Sequence, residues 1–101
     1  MENMHNLVLV IKALQQKGAV HRKGFDINEA TPSLAVANAV EELGELLVAY
    51  ELQGRHSEQV QEEAADVLAV FVHLCMLLNF DLDRLEQCAI KKVLTRFKVP
   101  E

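Results

Sequence analysis

Residues 41–66 read EELGELLVAYELQGRHSEQVQEEAAD, and the reading of this stretch decides the fold. It carries two acidic clusters, Glu41-Glu42-x-x-Glu45 and Glu62-Glu63-x-x-Asp66, on either side of Gly54-Arg55-His56. The i, i+3 spacing puts Glu42 and Glu45 on one helix face, and Glu63 and Asp66 on another. Gly54 is a natural helix stop, so the pattern predicts two helices folded back antiparallel. Residues equidistant from such a turn face each other. Glu45 then meets Glu63 and Glu42 meets Asp66, both pairs centred on Gly54. Like charges crowded this way repel unless a cation sits among them. The stretch reads as a divalent-metal site.

Working outward, Thr31-Pro32 marks the start of the first of these helices, with Thr as N-cap and Pro at the first helical position. Its apolar stripe, Val36, Val40, Leu43, Leu47 and Tyr50, is the expected core face. Asn38, Glu42, Glu45 and Ala49 share a neighbouring stripe, and Ala35, Ala37 and Ala39 keep part of the helix slim. Ser57 is placed to cap the second helix. That helix continues into VLAVFVHLCMLL, residues 67–78, apolar on every side except at His73. A helix with no polar face is expected to be buried all round. Glu63 and Asp66 stand at its mouth, where ionised carboxylates need a partner. His73 lies two turns beyond Asp66, about 10 Å along the axis, and reads first as a hydrogen-bonded core histidine.

The flanks are simpler. Residues 4–17 form an amphipathic helix through Leu7, Val10, Ile11 and Leu14, stopped by Gly18. Residues 18–30 are the longest irregular segment, either a solvated connector or a basic flap over an anionic ligand. Asn79 is expected to end the long helix in a left-handed conformation, and Asp81 to cap a fourth. Leu82, Leu85, Ala89, Val93 and Phe97 give the fourth helix an apolar face. Lys92 and Arg96, spaced i, i+4, project together.

Composition bounds the rest. A chain of 101 residues is one domain, residues 1–101. Half of them are hydrophobic, more than so short a chain buries easily alone, so a helical homo-oligomer is expected. The net charge of −5 argues against nucleic acid or an anionic membrane as partner. Cys75 and Cys88 fit neither metal-ligand spacing nor a disulfide framework and read as buried thiols. With no signal-like N-terminus and no apolar run of about 18 residues, a cytoplasmic protein is expected.

Carboxylate-only ligation favours hard cations, Mg²⁺ or Mn²⁺, over zinc. Mg²⁺ held by a few carboxylates usually serves substrate phosphates. His21, Arg22, Lys23, Lys92 and Arg96 are available to hold a polyphosphate. Glu41 and Glu62 are candidates for a second metal or for orienting the attacking water.

The spaced pair EExxE and ExxD, followed by the apolar helix, Asp81-Leu82 and a helix carrying Lys92 and Arg96, resembles the signature of the MazG-like all-α nucleoside triphosphate pyrophosphohydrolases over residues 31–98. The resemblance implies an all-α, four-helix unit with a central acidic hairpin, assembled as a homodimer or homotetramer. It implies hydrolysis of a (deoxy)nucleoside triphosphate to the monophosphate and pyrophosphate, as in nucleotide-pool housecleaning. Glu42, Glu45, Glu63 and Asp66 would be the Mg²⁺ ligands, with Glu41 and Glu42 as the catalytic acids. Lys92 and Arg96 would contact phosphates, and Lys23, His21 and Asn38 complete the substrate-binding candidates. Phe25, Asn38 and His21 are the candidates for the nucleoside pocket. The chain lacks the Trp that many relatives carry before the motif, and the Asn near the last basic pair. Rival readings are a phosphoribosyl-ATP pyrophosphohydrolase of the same superfamily and a non-catalytic helical regulator. A di-iron bundle would need Glu-x-x-His pairs, which this chain lacks.

Overall fold

The computed structural model describes residues 2–100. Four α-helices carry the chain: α1 (Glu2–Gln16), α2 (Pro32–Gln53), α3 (Glu58–Leu77) and α4 (Leu82–Arg96). A 3-10 turn over Ile27–Glu29 precedes α2, and there is no strand among the described residues.

Short-range chemistry explains where each helix begins and ends. Thr31 Oγ1 accepts from the Leu34 N–H at 3.2 Å, with Pro32 in the first turn. Ser57 Oγ accepts from Gln59 N–H, and Asp81 Oδ1 accepts from Asp83 and Arg84 N–H groups. Each cap satisfies backbone donors that a helix N-terminus leaves open. At the other ends, Gly18 (φ 62°) and Asn79 (φ 57°) adopt the left-handed conformation. Around Gly18, the Ala19 N–H reaches Leu14 O and the Gly18 N–H reaches Gln15 O. Around Asn79, Phe80 N–H reaches Cys75 O and Asn79 N–H reaches Met76 O. Both are the paired bonds of a Schellman stop.

The region between α1 and α2 is more ordered than the sequence suggests. An antiparallel bridge joins Val20 to Asp26, and the His21 N–H donates to Phe25 O at 2.7 Å. The His21 and Phe25 rings stack with centroids 4.6 Å apart and planes 6° apart. Asn28 Nδ2 donates to Gln15 O, tying this small hairpin to the end of α1. Residues expected as an irregular segment are therefore a pinned turn, because local backbone pairing was available that polar composition did not reveal.

Helices α2 and α3 form the central hairpin, and α1 packs on α3. The face of α2 turned to α3 is not the expected one. Ala35 and Ala49 are buried, and Asn38, Ala39, Glu42 and Leu46 are half-buried. Val36, Val40, Leu43, Leu47 and Tyr50, read as the core stripe, are all exposed. The alanine-rich stripe lets two helix backbones approach closely, and the larger apolar stripe is left facing outward.

Helix α3 also departs from expectation. Only Val72 and Cys75 are fully buried, while Leu68, Phe71 and Leu78 remain exposed. Cys88, expected inside, is exposed as well. Helix α4 turns 113° from α3, has no buried residue and makes at most a marginal contact with the other helices. Its apolar residues Val93, Leu94 and Phe97 are therefore open to solvent.

Two global quantities express the same deficit of burial. The radius of gyration is 15.9 Å, against about 12.7 Å for a compact chain of this length. The accessible surface is 8096 Å² for 11.3 kDa, against about 5,700 Å² for a typical folded monomer of that mass. Among the described residues, no single helix is long and apolar enough to cross a membrane.

Candidate metal centre

The hairpin of α2 and α3 brings three of its carboxylates together. Glu42 points from the α3-facing side of α2, Glu45 stands one turn on, and Glu63 reaches across from α3. One carboxylate oxygen from each of Glu42, Glu45 and Glu63 lies within 4.8 Å of the other two. Glu63 Oε1 accepts from Gln59 Nε2 at 2.8 Å, which holds that side chain in place. Glu42 Oε2 and Glu63 Oε2 are buried and have no hydrogen-bond partner.

The electrostatics follow from this crowding. Burial, first, raises the Glu42 carboxyl above its ordinary pKa. The adjacent Glu45 carboxylate pushes the same way, and the charges of Asp66 and Glu63 add to it. A buried oxygen without a donor and a carboxyl resisting ionisation are both relieved by a cation at this point. The donor set is all oxygen, so the residues present fit a hard divalent ion of the Mg²⁺ or Mn²⁺ class rather than zinc.

Asp66 is exposed and stands outside the close trio, although its charge bears on Glu42. The symmetric four-acid arrangement expected from spacing is thus three converging carboxylates with a fourth alongside. Glu41 is exposed on the outer side, with Lys23 Nζ 3.7 Å from its Oε1. An exposed pair of this kind contributes about 0–1 kcal/mol, so Lys23 is free to exchange partners. Asn38 lies half-buried one turn before Glu42.

The remaining candidates are distributed differently from the expectation. His21 is committed to its own turn: its Nδ1 accepts the Lys23 N–H at 3.0 Å, and its ring covers Phe25. Lys92 and Arg96 are exposed on α4, and no packing within the chain brings them to the acids. An i, i+4 spacing determines that two cations project together, not where the helix bearing them goes.

His73 is half-buried on α3 with Nε2 enclosed and unbonded, and burial lowers its pKa from the ordinary 6.5. The hydrogen-bonded core histidine expected here is therefore without a partner on that nitrogen. Since the unfolded chain takes up the proton first, this residue makes stability fall as pH drops below 6.5 toward the lower folded value. Thermal melting between pH 7.5 and 5.5 should show a shallower decline for His73→Leu than for the wild type. Parallel curves would exclude this role.

One feature of the site was missed entirely in the sequence. A groove of about 630 Å³ runs along the hairpin from Glu45 and Glu63 toward the turn, past Gly44, Val48 and Leu52. The available signal was Gly44, a glycine in the middle of a helix.

The family model of the MazG nucleotide pyrophosphohydrolase domain matches residues 30–99, from just before the Thr31 cap to beyond the end of α4. The chain belongs to the MazG family. Comparison with curated proteins and with solved structures gave no match. The all-helical fold agrees with a MazG domain, and membership supports a nucleotide pyrophosphohydrolase role. The MazG match spans both acidic clusters and the whole of α4, while α1 and the Val20–Asp26 hairpin lie outside it.

Proposed function

We propose that the protein hydrolyses (deoxy)nucleoside triphosphates to nucleoside monophosphate and pyrophosphate in an Mg²⁺-dependent reaction. The observation that carries this reading is the convergence of Glu42, Glu45 and Glu63 with two buried, unbonded oxygens, on the motif of a MazG domain. Glu42, Glu45 and Glu63 would hold the ion, with Asp66 completing its acidic surroundings. The ion would supply Lewis-acid polarisation of the phosphoryl group and neutralise charge gathering on the leaving pyrophosphate.

The chain's own residues would do the rest. Glu41, exposed and next to Glu42 in the chain, would accept a proton from the attacking water. The water oxygen bonds to the α-phosphorus, the bond from that phosphorus to the bridging oxygen breaks, and pyrophosphate departs with the electron pair. Lys23, held at Glu41 by a weak surface pair, can transfer its charge to a phosphate when substrate arrives. Asn38 offers an amide one turn before Glu42.

The reaction predicts pyrophosphate rather than orthophosphate as the product. Purified protein should release it from at least one member of a panel of common and damaged nucleoside triphosphates with Mg²⁺ or Mn²⁺, and EDTA should abolish the release. A panel without any cleavage would show the reading to be wrong.

We further propose that the protein works as a homo-oligomer. Its surface exceeds that of a typical monomer by roughly 2,400 Å², more than the roughly 800 Å² that a partner in a standard interface covers. The exposed stripe of α2 and the uncovered α4 are the surfaces available for a second copy. Helix α4 of that copy is one route by which Lys92 and Arg96 would approach the substrate.

A further inference from the structure

A second hollow, of about 610 Å³, lies in the corner between α1 and the turn that joins α3 to α4. It is remote from the acids, because α3 rises about 20 Å from Glu63 to Met76, which lines it. One of its walls is α1, which lies outside the residues that the MazG model matches. Among the described residues, the carboxylates able to share a metal are Glu42, Glu45 and Glu63, none of them in this corner. A ligand here would bind without a metal.

Local chemistry fixes the walls. The Schellman stop at Asn79 seats Phe80 at the end of α3, with the Phe80 N–H on Cys75 O at 2.8 Å. Asp81 follows as the cap of α4 and uses only Oδ1 on the Asp83 and Arg84 N–H groups. Its other oxygen is left to accept from a ligand. Asn28 Nδ2, on Gln15 O, holds the end of α1.

The lining brings three chemistries together. Val8, Met76 and Phe80 give it an apolar floor, and Phe80 keeps 52% of its surface exposed. His5 and Lys12 belong to the α1 wall, two turns or about 10 Å apart along the helix. The Asp81 carboxylate belongs to the other wall. Neither Lys12 nor Asp81 has an ion-pair partner among the described residues.

This combination discriminates among occupants. A lone phosphate would meet Lys12 and leave the apolar floor wet. A purely apolar molecule would cover Lys12 and Asp81 without giving them partners, which is unfavourable. A nucleoside monophosphate satisfies all three chemistries. Its phosphate meets Lys12 and His5, its ring face lies on Phe80 and Met76, and its N–H or hydroxyl donors reach Asp81. The volume is within the range of small-molecule sites, roughly 300–1,000 Å³. We propose that this corner is a second nucleotide site, independent of metal and separate from the acidic hairpin, and that it takes a nucleoside monophosphate.

Calorimetry of the whole chain in EDTA tests the site, with AMP, GMP, CMP and UMP as probes. The chelator removes the ion on which binding at the hairpin would depend, and no turnover is needed, so the outcome is independent of the pyrophosphohydrolase reading. At least one probe should bind saturably. Lys12→Glu and Phe80→Ser should each weaken that binding about tenfold or more, and Glu63→Gln should leave it unchanged. Lys12 and Phe80 are exposed, so neither substitution threatens the fold. Asp81→Asn keeps a capping side chain while removing the charge, and it too should weaken binding. Saturable binding of none of the four probes would overturn the assignment. So would a loss in Glu63→Gln equal to that in Lys12→Glu, because the ligand would then sit at the hairpin. Inorganic phosphate binding as tightly as the nucleotide, with no loss in Phe80→Ser, would make the corner a simple anion site and overturn it as well. A changed oligomeric state of Lys12→Glu in sedimentation would assign the corner to a second copy instead.

Discussion

Glu42→Gln should lower pyrophosphate release by about 10²–10³-fold, the usual cost of removing one electrostatic contact at a reacting centre, and at the same time raise the melting temperature of the metal-free protein. The two effects have one cause. Glu42 is held among Glu45, Glu63 and Asp66 with an unbonded buried oxygen. Its folded pKa lies above the ordinary 4.5. Folding therefore favours the protonated form, so the contribution of Glu42 to metal-free stability is fully present below pH 4.5 and is lost as pH rises through the folded value. An uncharged amide of nearly the same shape removes that decline at neutral pH. The substitution should therefore raise the metal-free melting temperature at pH 7 and have less effect at pH 4, where the wild-type carboxyl is itself protonated. Added Mg²⁺ should then stabilise the wild type and leave Glu42→Gln nearly unmoved. Full activity in Glu42→Gln, or a lower melting temperature without metal, would remove Glu42 from the site.

The second large effect is expected on the opposite side of α2. Leu43→Asp combined with Leu47→Asp should convert the protein to a monomer of much lower stability. Both leucines are more than half exposed in the single chain. Covering a fully exposed leucine contributes about 1.5–3 kcal/mol, so covering the exposed half of both contributes roughly that amount per copy, a sizeable part of the 5–15 kcal/mol that hold a typical domain together. Sedimentation equilibrium and thermal melting measure the two parts of the effect. If the residues were instead inner core, the double variant would fail to fold at all. If they were idle surface, it would change neither quantity.

The local features of this fold were legible one residue at a time. Thr31, Ser57 and Asp81 cap helices because a short oxygen-bearing side chain can reach a free backbone N–H two or three residues on. Gly18 and Asn79 end helices because each tolerates positive φ. The mirrored acids about Gly54 brought Glu42, Glu45 and Glu63 together because a short turn between straight helices leaves one register.

What the sequence alone determined is therefore the helices, the hairpin and the meeting of its acids, since each depends on contacts within a few residues or across one short turn. Tertiary structure decided which side of each helix faces inward. Val36, Val40, Leu43, Leu47 and Tyr50 form the more hydrophobic stripe of α2, yet the slimmer stripe of Ala35, Ala39 and Ala49 faces α3. Hydrophobic periodicity measures how much a face gains from being covered and carries no label for the surface that covers it. The same limit applies to Lys92 and Arg96, whose place depends on the 113° turn before α4, and to Asp66, which stands beside the trio rather than in it. The groove beneath Gly44 belongs to this second class, because a cavity is a property of two helices and of neither sequence segment alone.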